Sequence, residues 1–374
     1  LITNTGKSIL GKYLLGQAPA YASFIAIGCG AKPLDTTDTL GDYSNKKNLD
    51  FEMLRVPISS RGFVSEGGLD KIVFTAELPA EERYEITEVG IFSAKSNPSA
   101  GAYDSKTVFS FTNTENWNYH TSASSTAITS IATALDESDD NVISTALKVF
   151  QTNADNSIFY KTSRAARYER CRFLNNVILM RGDDATLTVS GGHFVIGAGS
   201  NHIHYTRPSA NFSQNSPTDE LRLAFSVINK DGDSALAPDT VRVLVDFSST
   251  DAGTGEYARF EAEIVNGTGT GQYDLDENRY VVISKQLQEL YTSANFTWNA
   301  VTVAKIYVSA IDGGAVSDDY YIALDSMRLE NIGTVNPLYG LTGYSVIQNP
   351  DSESIIKAPN TSNYVEFRFS IGVT

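Results

Sequence analysis

The chain has 374 residues, enough for two or three domains, and its 19 Tyr and 18 Phe with moderate Gly (28) and Pro (11) set aside wholesale disorder and low-complexity fibres. A net charge of −15 argues against a non-specific binder of nucleic acid or anionic membrane. No apolar run approaches the roughly 20 residues that a membrane-spanning helix needs, so membrane insertion is not expected.

In chain order, Thr5 to Leu15 reads as a short helix. Ile9, Tyr13, Leu10 and Leu14 are expected on its buried side, Asn4 or Thr5 at its cap, and Gly16-Gln17-Ala18-Pro19 at its end. Phe24 to Gly28 is a continuous apolar run of the kind that sits mid-sheet. Residues 35–50 read as an exposed polar loop, followed by strands near 53–59, 71–78 and 84–93. In the last of these the apolar alternation slips at Thr87-Glu88. Tyr84 and Ile86 share one face, Val89 and Ile91 the other. A bulge produces such a slip, as does burial of both faces. Glu88 then sits among apolar neighbours and needs donors. Backbone N–H groups of a nearby turn are the expected donors, with Gly90 allowing close backbone approach. No His, Cys or second carboxylate accompanies Glu88 in a recognisable arrangement, so it reads as structural rather than catalytic.

Thr3-Asn4-Thr5-Gly6-Lys7, Phe24 to Gly30, Arg55-Val56-Pro57-Ile58, Lys71 to Leu78 and Tyr84 to Ala94, in that order, resemble the N-terminal domain of phage tail-collar and tail-fibre proteins. The Glu88-Val89-Gly90 strand is the most specific part, and the likeness spans the first quarter of the chain. The resemblance implies a structural virion protein located in the tail of a tailed bacteriophage, at its tip, baseplate or fibre base. It implies other tail or baseplate proteins as partners, a symmetric homo-oligomer in the particle, and no active site.

Ser96-Asn97-Pro98-Ser99-Ala100-Gly101 is turn-forming and marks a boundary. From 105 to 332 many short strands follow, among them Leu221–Val227, Val241–Phe247, Ala258–Ile264, Lys305–Ala310 and Tyr320–Leu329. Turn signals such as Asp312-Gly313-Gly314 separate them, the rhythm of an antiparallel sandwich. Residues 175–332 carry 21 acidic and 10 basic side chains, so 11 of the 15 net negative charges lie there. Residues 122–172 are ambiguous, helix or Ser/Thr-rich strand. Their Arg164, Arg167, Arg170 and Arg172 read as a salt-bridged surface, since a nucleic-acid site would come with net positive charge over the domain.

The closing strand Tyr320-Tyr321-Ile322-Ala323-Leu324-Asp325-Ser326-Met327-Arg328-Leu329 resembles the last strand of carbohydrate-binding-module jelly rolls. This second resemblance implies an alternative function, a receptor-binding adhesin whose sandwich grips a host-surface glycan. Trp117, Trp298 and Tyr320 are the candidate glycan contacts, against the ordinary use of large aromatics as core.

Residues 333–374 are too few to bury a core alone, yet Val365, Phe367, Phe369 and Ile371 alternate cleanly with polar residues. The expected arrangement is mainly β. A small α+β base domain of residues 1–100 plus 338–374, a helix with an antiparallel sheet, carries an inserted antiparallel jelly-roll sandwich of 105–332. Donation of the last strand to a neighbouring subunit is the rival arrangement.

Chemistry is sparse. His202 and His204, spaced by two, share a strand face and have His193 nearby, but without Cys or clustered carboxylates no metal is expected. Asp231, Asp233 and Asp325 resemble the ligands of structural calcium sites, though Asp231-Gly232-Asp233 is equally a good turn. Cys29 and Cys171 fall in different domains and read as two buried thiols. There is no nucleophile elbow, phosphate loop, dinucleotide fingerprint or Cys-x-x-Cys, so neither enzyme activity nor a cofactor is expected. A polysaccharide-degrading tailspike would show β-helix repeats, and none is visible.

Overall fold

The computed structural model describes the chain except for residues 19, 29–42, 51, 81–83, 95–104, 111–116, 123–124, 128–130, 133–158, 162–175, 214–216, 230–235, 250–255, 268, 270–271, 274, 276–279, 331–339, 347–354, 358–361 and 371–374. The fold is mainly β, with one N-terminal helix and several antiparallel sheets. Contacts divide it into two compact units. One comprises Leu1–Lys106, Arg170–Phe173 and Asn331–Thr374, the other Thr107–Glu169 and Leu174–Glu330.

The first unit begins with α1 (Asn4–Leu14). Its cap is Thr3, one residue before the expected position; the Thr3 hydroxyl accepts from the Gly6 N–H at 2.8 Å and donates to the Leu341 carbonyl. Ile9 is buried, whereas Leu10, Tyr13 and Leu14 are exposed, contrary to the expected buried face. The helix meets its neighbour through Gly6, where a Cβ would lie 2.1 Å from the Thr342 carbonyl oxygen.

The chain continues as β1 (Phe24–Gly28), β2 (Glu52–Pro57), β3 (Ser60–Glu66), β4 (Leu69–Leu78), β5 (Tyr84–Ile86) and β6 (Glu88–Phe92). β1 lies between β2 and β6, the mid-sheet place its unbroken apolar run demands. Gly67 and Gly68, both at positive φ, turn the β3–β4 hairpin. The slip at Thr87 has a specific cause: the chain changes sheets there, β5 and β6 belong to different sheets, and β6 is buried along its whole length.

In the second unit the strands are β7 (Ser105–Ser110), β8 (Trp117–His120), β9 (Ser125–Ala127), β10 (Ile131–Ala132), β11 (Phe159–Lys161) and β12 (Asn176–Arg181). A small hairpin of β13 (Leu187–Ser190) and β14 (His193–Ile196) comes next, then β15 (His202–Ala210), β16 (Glu220–Asn229), β17 (Thr240–Ser248), β18 (Ala258–Val265) and β19 (Tyr280–Gln286). The unit closes with β20 (Tyr291–Thr292), β21 (Val301–Asp312), β22 (Ala315–Val316) and β23 (Tyr320–Glu330).

One sheet runs β12-β23-β16-β19 and the other β18-β17-β21-β15, each extended by shorter strands. With the eight long strands counted in chain order, the sheets read first-eighth-third-sixth and fifth-fourth-seventh-second. That alternation of the chain between two sheets is the jelly roll. Every second residue of the long strands points between the sheets. Leu221, Leu223, Phe225 and Val227 of β16 face Val241, Val243, Val245 and Phe247 of β17 and Phe260 of β18 in one hydrophobic core.

The chain then returns to the first unit with β24 (Leu341–Val346), β25 (Ile355–Lys357) and β26 (Asn363–Ser370). β24 pairs with β6, β25 with β5, and β26 with β4, all antiparallel and within this chain. Residues 1–3 run along β24, with the amino terminus donating to the Tyr344 carbonyl at 3.0 Å.

Candidate functional site

Glu88 is 1% exposed, and its Oε2 accepts from the Asp50 N–H at 2.9 Å and from the Tyr344 hydroxyl at 3.0 Å. Burial first, and then the Glu88 charge, push the Tyr344 hydroxyl far above its ordinary pKa. Tyr43 stacks on the Tyr344 ring at 5.9 Å and the Lys46 ammonium lies 4.9 Å from its centroid, while Lys46 also pairs with Asp50. A carboxylate so tied holds the Asp50 backbone and the Tyr344 strand together. Gly90 serves side chains rather than backbone. A Cβ there would come within 2.6 Å of Leu341 Cδ1 and 3.0 Å of Leu49 Cδ2, so the close approach expected from the sequence is made by leucines.

The richer surface lies on the second unit. Strand alternation sends Ile203, Ile306, Val245 and Phe260 into the core. The same alternation leaves His202 and His204 of β15, Lys305 and Tyr307 of β21, Leu244 and Asp246 of β17, and Arg259 and Glu261 of β18 on the opposite face. The β13–β14 hairpin, turned by Gly191-Gly192 at positive φ, folds over part of this face and buries Leu187 and Phe194 against Leu244 and Tyr307. Its backbone is held by side chains below it. Arg242 donates to the Leu187 carbonyl at 2.7 Å, Arg259 to the Phe194 carbonyl at 3.0 Å, and Glu261 accepts from the Phe194 N–H. Arg259 also grips Asp246 through two bonds of 2.7 and 2.8 Å; burial nonetheless raises the Asp246 pKa.

Beside the hairpin is a histidine cluster. β8 pairs with β15 so that His120 stands opposite His202, and His204 follows two residues on. The His120 ring is stacked on His202 at 4.9 Å and tilted against His204 at 5.0 Å, and Tyr307 also stacks on His202, at 4.8 Å. One ligating atom from each of the three histidines lies within 4.8 Å of the others. Burial, reinforced by the His120, Lys305 and His204 charges, drives the His202 pKa down from 6.5 to about 3; His120 is lowered by burial and Lys305.

The sequence pointed to His193 as the third histidine, and the structure assigns that place to His120. His193 instead meets Glu261 at 3.0 Å, with Tyr291 packed on its ring at 4.4 Å. His120 is remote in sequence, and only the β8–β15 register brings it in. Trp117 pairs through its backbone with Tyr205, and its side chain lies outside the described residues. Trp298 packs against the core, edge-on to Phe296 at 4.9 Å and Phe212 at 6.2 Å. Tyr320 is 4% exposed, with its ring inside the sandwich and its hydroxyl donating to Asp312 at 3.2 Å. Asp231, Asp233, the four arginines between 164 and 172, Cys29, Cys171 and the Asp325 side chain lie outside the described residues.

No protein-family model matches the chain, and no curated protein matches it in sequence. Among solved structures the chain is similar in part to PfGH50B, at 12% identity and a TM-score of 0.25, over 43% of this chain and 23% of that one. It therefore spans less than a quarter of PfGH50B. It is also similar to CBM28, a carbohydrate-binding module specific for non-crystalline cellulose, at 7% identity and a TM-score of 0.21, over 44% of this chain and 87% of that one. A third is the Bacillus licheniformis β-glucanase, at 10% identity and a TM-score of 0.21, over 44% of this chain and 83% of that one.

Proposed function

We propose that the chain is a structural virion protein of a tailed bacteriophage, in the tail tip, baseplate or fibre base. The unit built from both chain ends is its attachment body, and the jelly roll is the part it presents. The observation that supports this most is the apolar surface of the first unit. Leu14 and Leu15 at the end of α1 are 77% and 73% exposed, and Phe63 on the β3–β4 hairpin is 67% exposed, with Tyr13, Val64 and Leu69 beside them in sequence also exposed. Large apolar side chains grouped at a helix end and a hairpin mark surfaces that partners cover. Other tail proteins and symmetry-related copies are the partners this reading supplies. Glu88, whose Oε2 accepts two hydrogen bonds, fits an architectural role in that body. The test is to purify tailed particles from the encoding phage and locate the protein by mass spectrometry and immunogold labelling. Absence from the particle, or label away from the tail, overturns the proposal. Leu14→Ser with Leu15→Ser is expected to keep the melting temperature and lose incorporation.

A second reading, an adhesin that binds host-surface glycan through the jelly roll, is favoured by one specific feature. Tyr291 is 41% exposed and lies against His193 and Tyr257, next to the fixed Arg259–Asp246 pair. An open ring beside oriented donors and acceptors suits a sugar face. A glycan array probed with the full chain tests it. Binding should vanish in Tyr291→Ala, and a hit indifferent to that change would refute this choice of face.

A further inference from the structure

We propose that His120, His202 and His204 form a binding site for a divalent transition-metal ion on the outer face of the jelly roll. The site stands apart from the phage reading and does not depend on it.

The placement comes from strand geometry. His120 and His202 are direct cross-strand partners, and His204 shares the His202 face because side chains alternate along β15. All three sit on paired strands rather than loops, so the sheet ladder holds their backbones in place. Bonds of about 2.0–2.1 Å to a tetrahedral ion set ligand atoms about 3.3 Å apart. The three donor atoms already lie within 4.8 Å of one another, and the remaining approach of about 1.5 Å is asked mainly of the His120 and His204 rings.

The donor set selects the ion. Three imidazoles with no oxygen ligand among them suit zinc, nickel or copper and give calcium or magnesium nothing to hold. Lys305, opposite His204, is the unfavourable neighbour, and Asp246 stands opposite Lys305 on the far side to offset its charge. Hydroxyls stand at the rings as outer partners. Ser125 Oγ lies 3.3 Å from His120 Nε2 and Thr206 Oγ1 lies 3.5 Å from His204 Nε2. Tyr307 stacked on His202 limits its ring to small rotations. His120 is half-buried rather than enclosed, which leaves the cluster within reach of solvent.

The full chain, stripped with a chelator, is titrated with zinc alone and separately with cobalt(II). Expected are one saturable zinc per chain, a raised melting temperature, and the visible bands of low-coordinate cobalt. His120→Gln and His204→Gln should each weaken zinc by at least about tenfold. His193→Gln, altering the histidine paired with Glu261, should leave zinc binding unchanged. Absence of saturable zinc binding, zinc binding indifferent to His120→Gln, or an equal loss in His193→Gln overturns the proposal. Should His204→Gln fail to fold, the half-buried His120→Gln and the wild-type cobalt spectrum decide the matter.

Discussion

At Gly6 of the opening unit, helix propensity and packing make opposite predictions. Gly6 lies within α1, where Gly→Ala ordinarily stabilises by roughly 0.5–1 kcal/mol. Here the added Cβ would fall 2.1 Å from the Thr342 carbonyl oxygen, a backbone atom that cannot swing aside. Gly6→Ala is therefore expected to destabilise, by about 1–3 kcal/mol as for other overpacked sites, in urea unfolding of the full chain. A gain in stability would show that α1 does not seat on β24. At Glu88, on β6, hydrogen bonding decides the outcome. Glu88→Ala leaves the Tyr344 hydroxyl and the Asp50 N–H without their acceptor, for a loss on the order of 3 kcal/mol. Glu88→Gln keeps an acceptor oxygen and should cost less, and the ordering of the two variants is the measurement. Burial of Glu88 could be read from its apolar neighbours in sequence; the identity of Tyr344 as its partner could not, because that residue arrives from the far end of the chain.

Among the elements, the three-stranded sheet β26-β4-β3 carries a charge cluster whose contribution depends on pH. Lys71 donates to Glu66 at 3.0 Å and Arg368 of β26 approaches the same carboxylate at 3.3 Å. The Lys71 hydrogen bond, then its charge and that of Arg368, hold the Glu66 pKa below 4.5. A carboxylate with a depressed folded pKa stabilises above its unfolded pKa and loses that effect as pH falls through the folded value. Glu66→Gln should therefore melt below wild type near neutral pH, with the difference closing well under pH 4.5. It should also narrow in high salt, since the group is exposed and screened. A gap that persists in acid would rule out the charge cluster as its source. The elements themselves were largely legible. The continuous run Phe24–Gly28 became a mid-sheet strand, and Val241 to Phe247 became a jelly-roll strand whose alternation is broken at Leu244, buried on the other face, because burial on two faces or one writes itself into residue type. The helix face was misjudged at Leu10, Tyr13 and Leu14. An amphipathic pattern marks an apolar face but not whether this chain supplies its cover.

For the whole molecule, β24, β25 and β26 each complete a sheet begun in the first hundred residues. Truncation after Asn336 removes all three, leaving β6, β5 and β4 each without one partner. Calorimetry of the full chain and of this truncation should then differ in one transition. The jelly roll, whose long strands lie wholly before Asn331, should keep its own. A truncated chain that retained every transition would refute the dependence. By itself, the sequence determined that this is a β-rich chain of short alternating strands, with a capped helix at its start and a buried Glu88-Val89-Gly90 strand, since these follow from local pattern and period. Tertiary structure alone decided which strands pair, that the chain switches sheets at Thr87, and that His120 rather than His193 joins His202 and His204. Pairing between distant strands is set by the summed burial of whole faces and by register, and neither quantity is a property of any local stretch of residues.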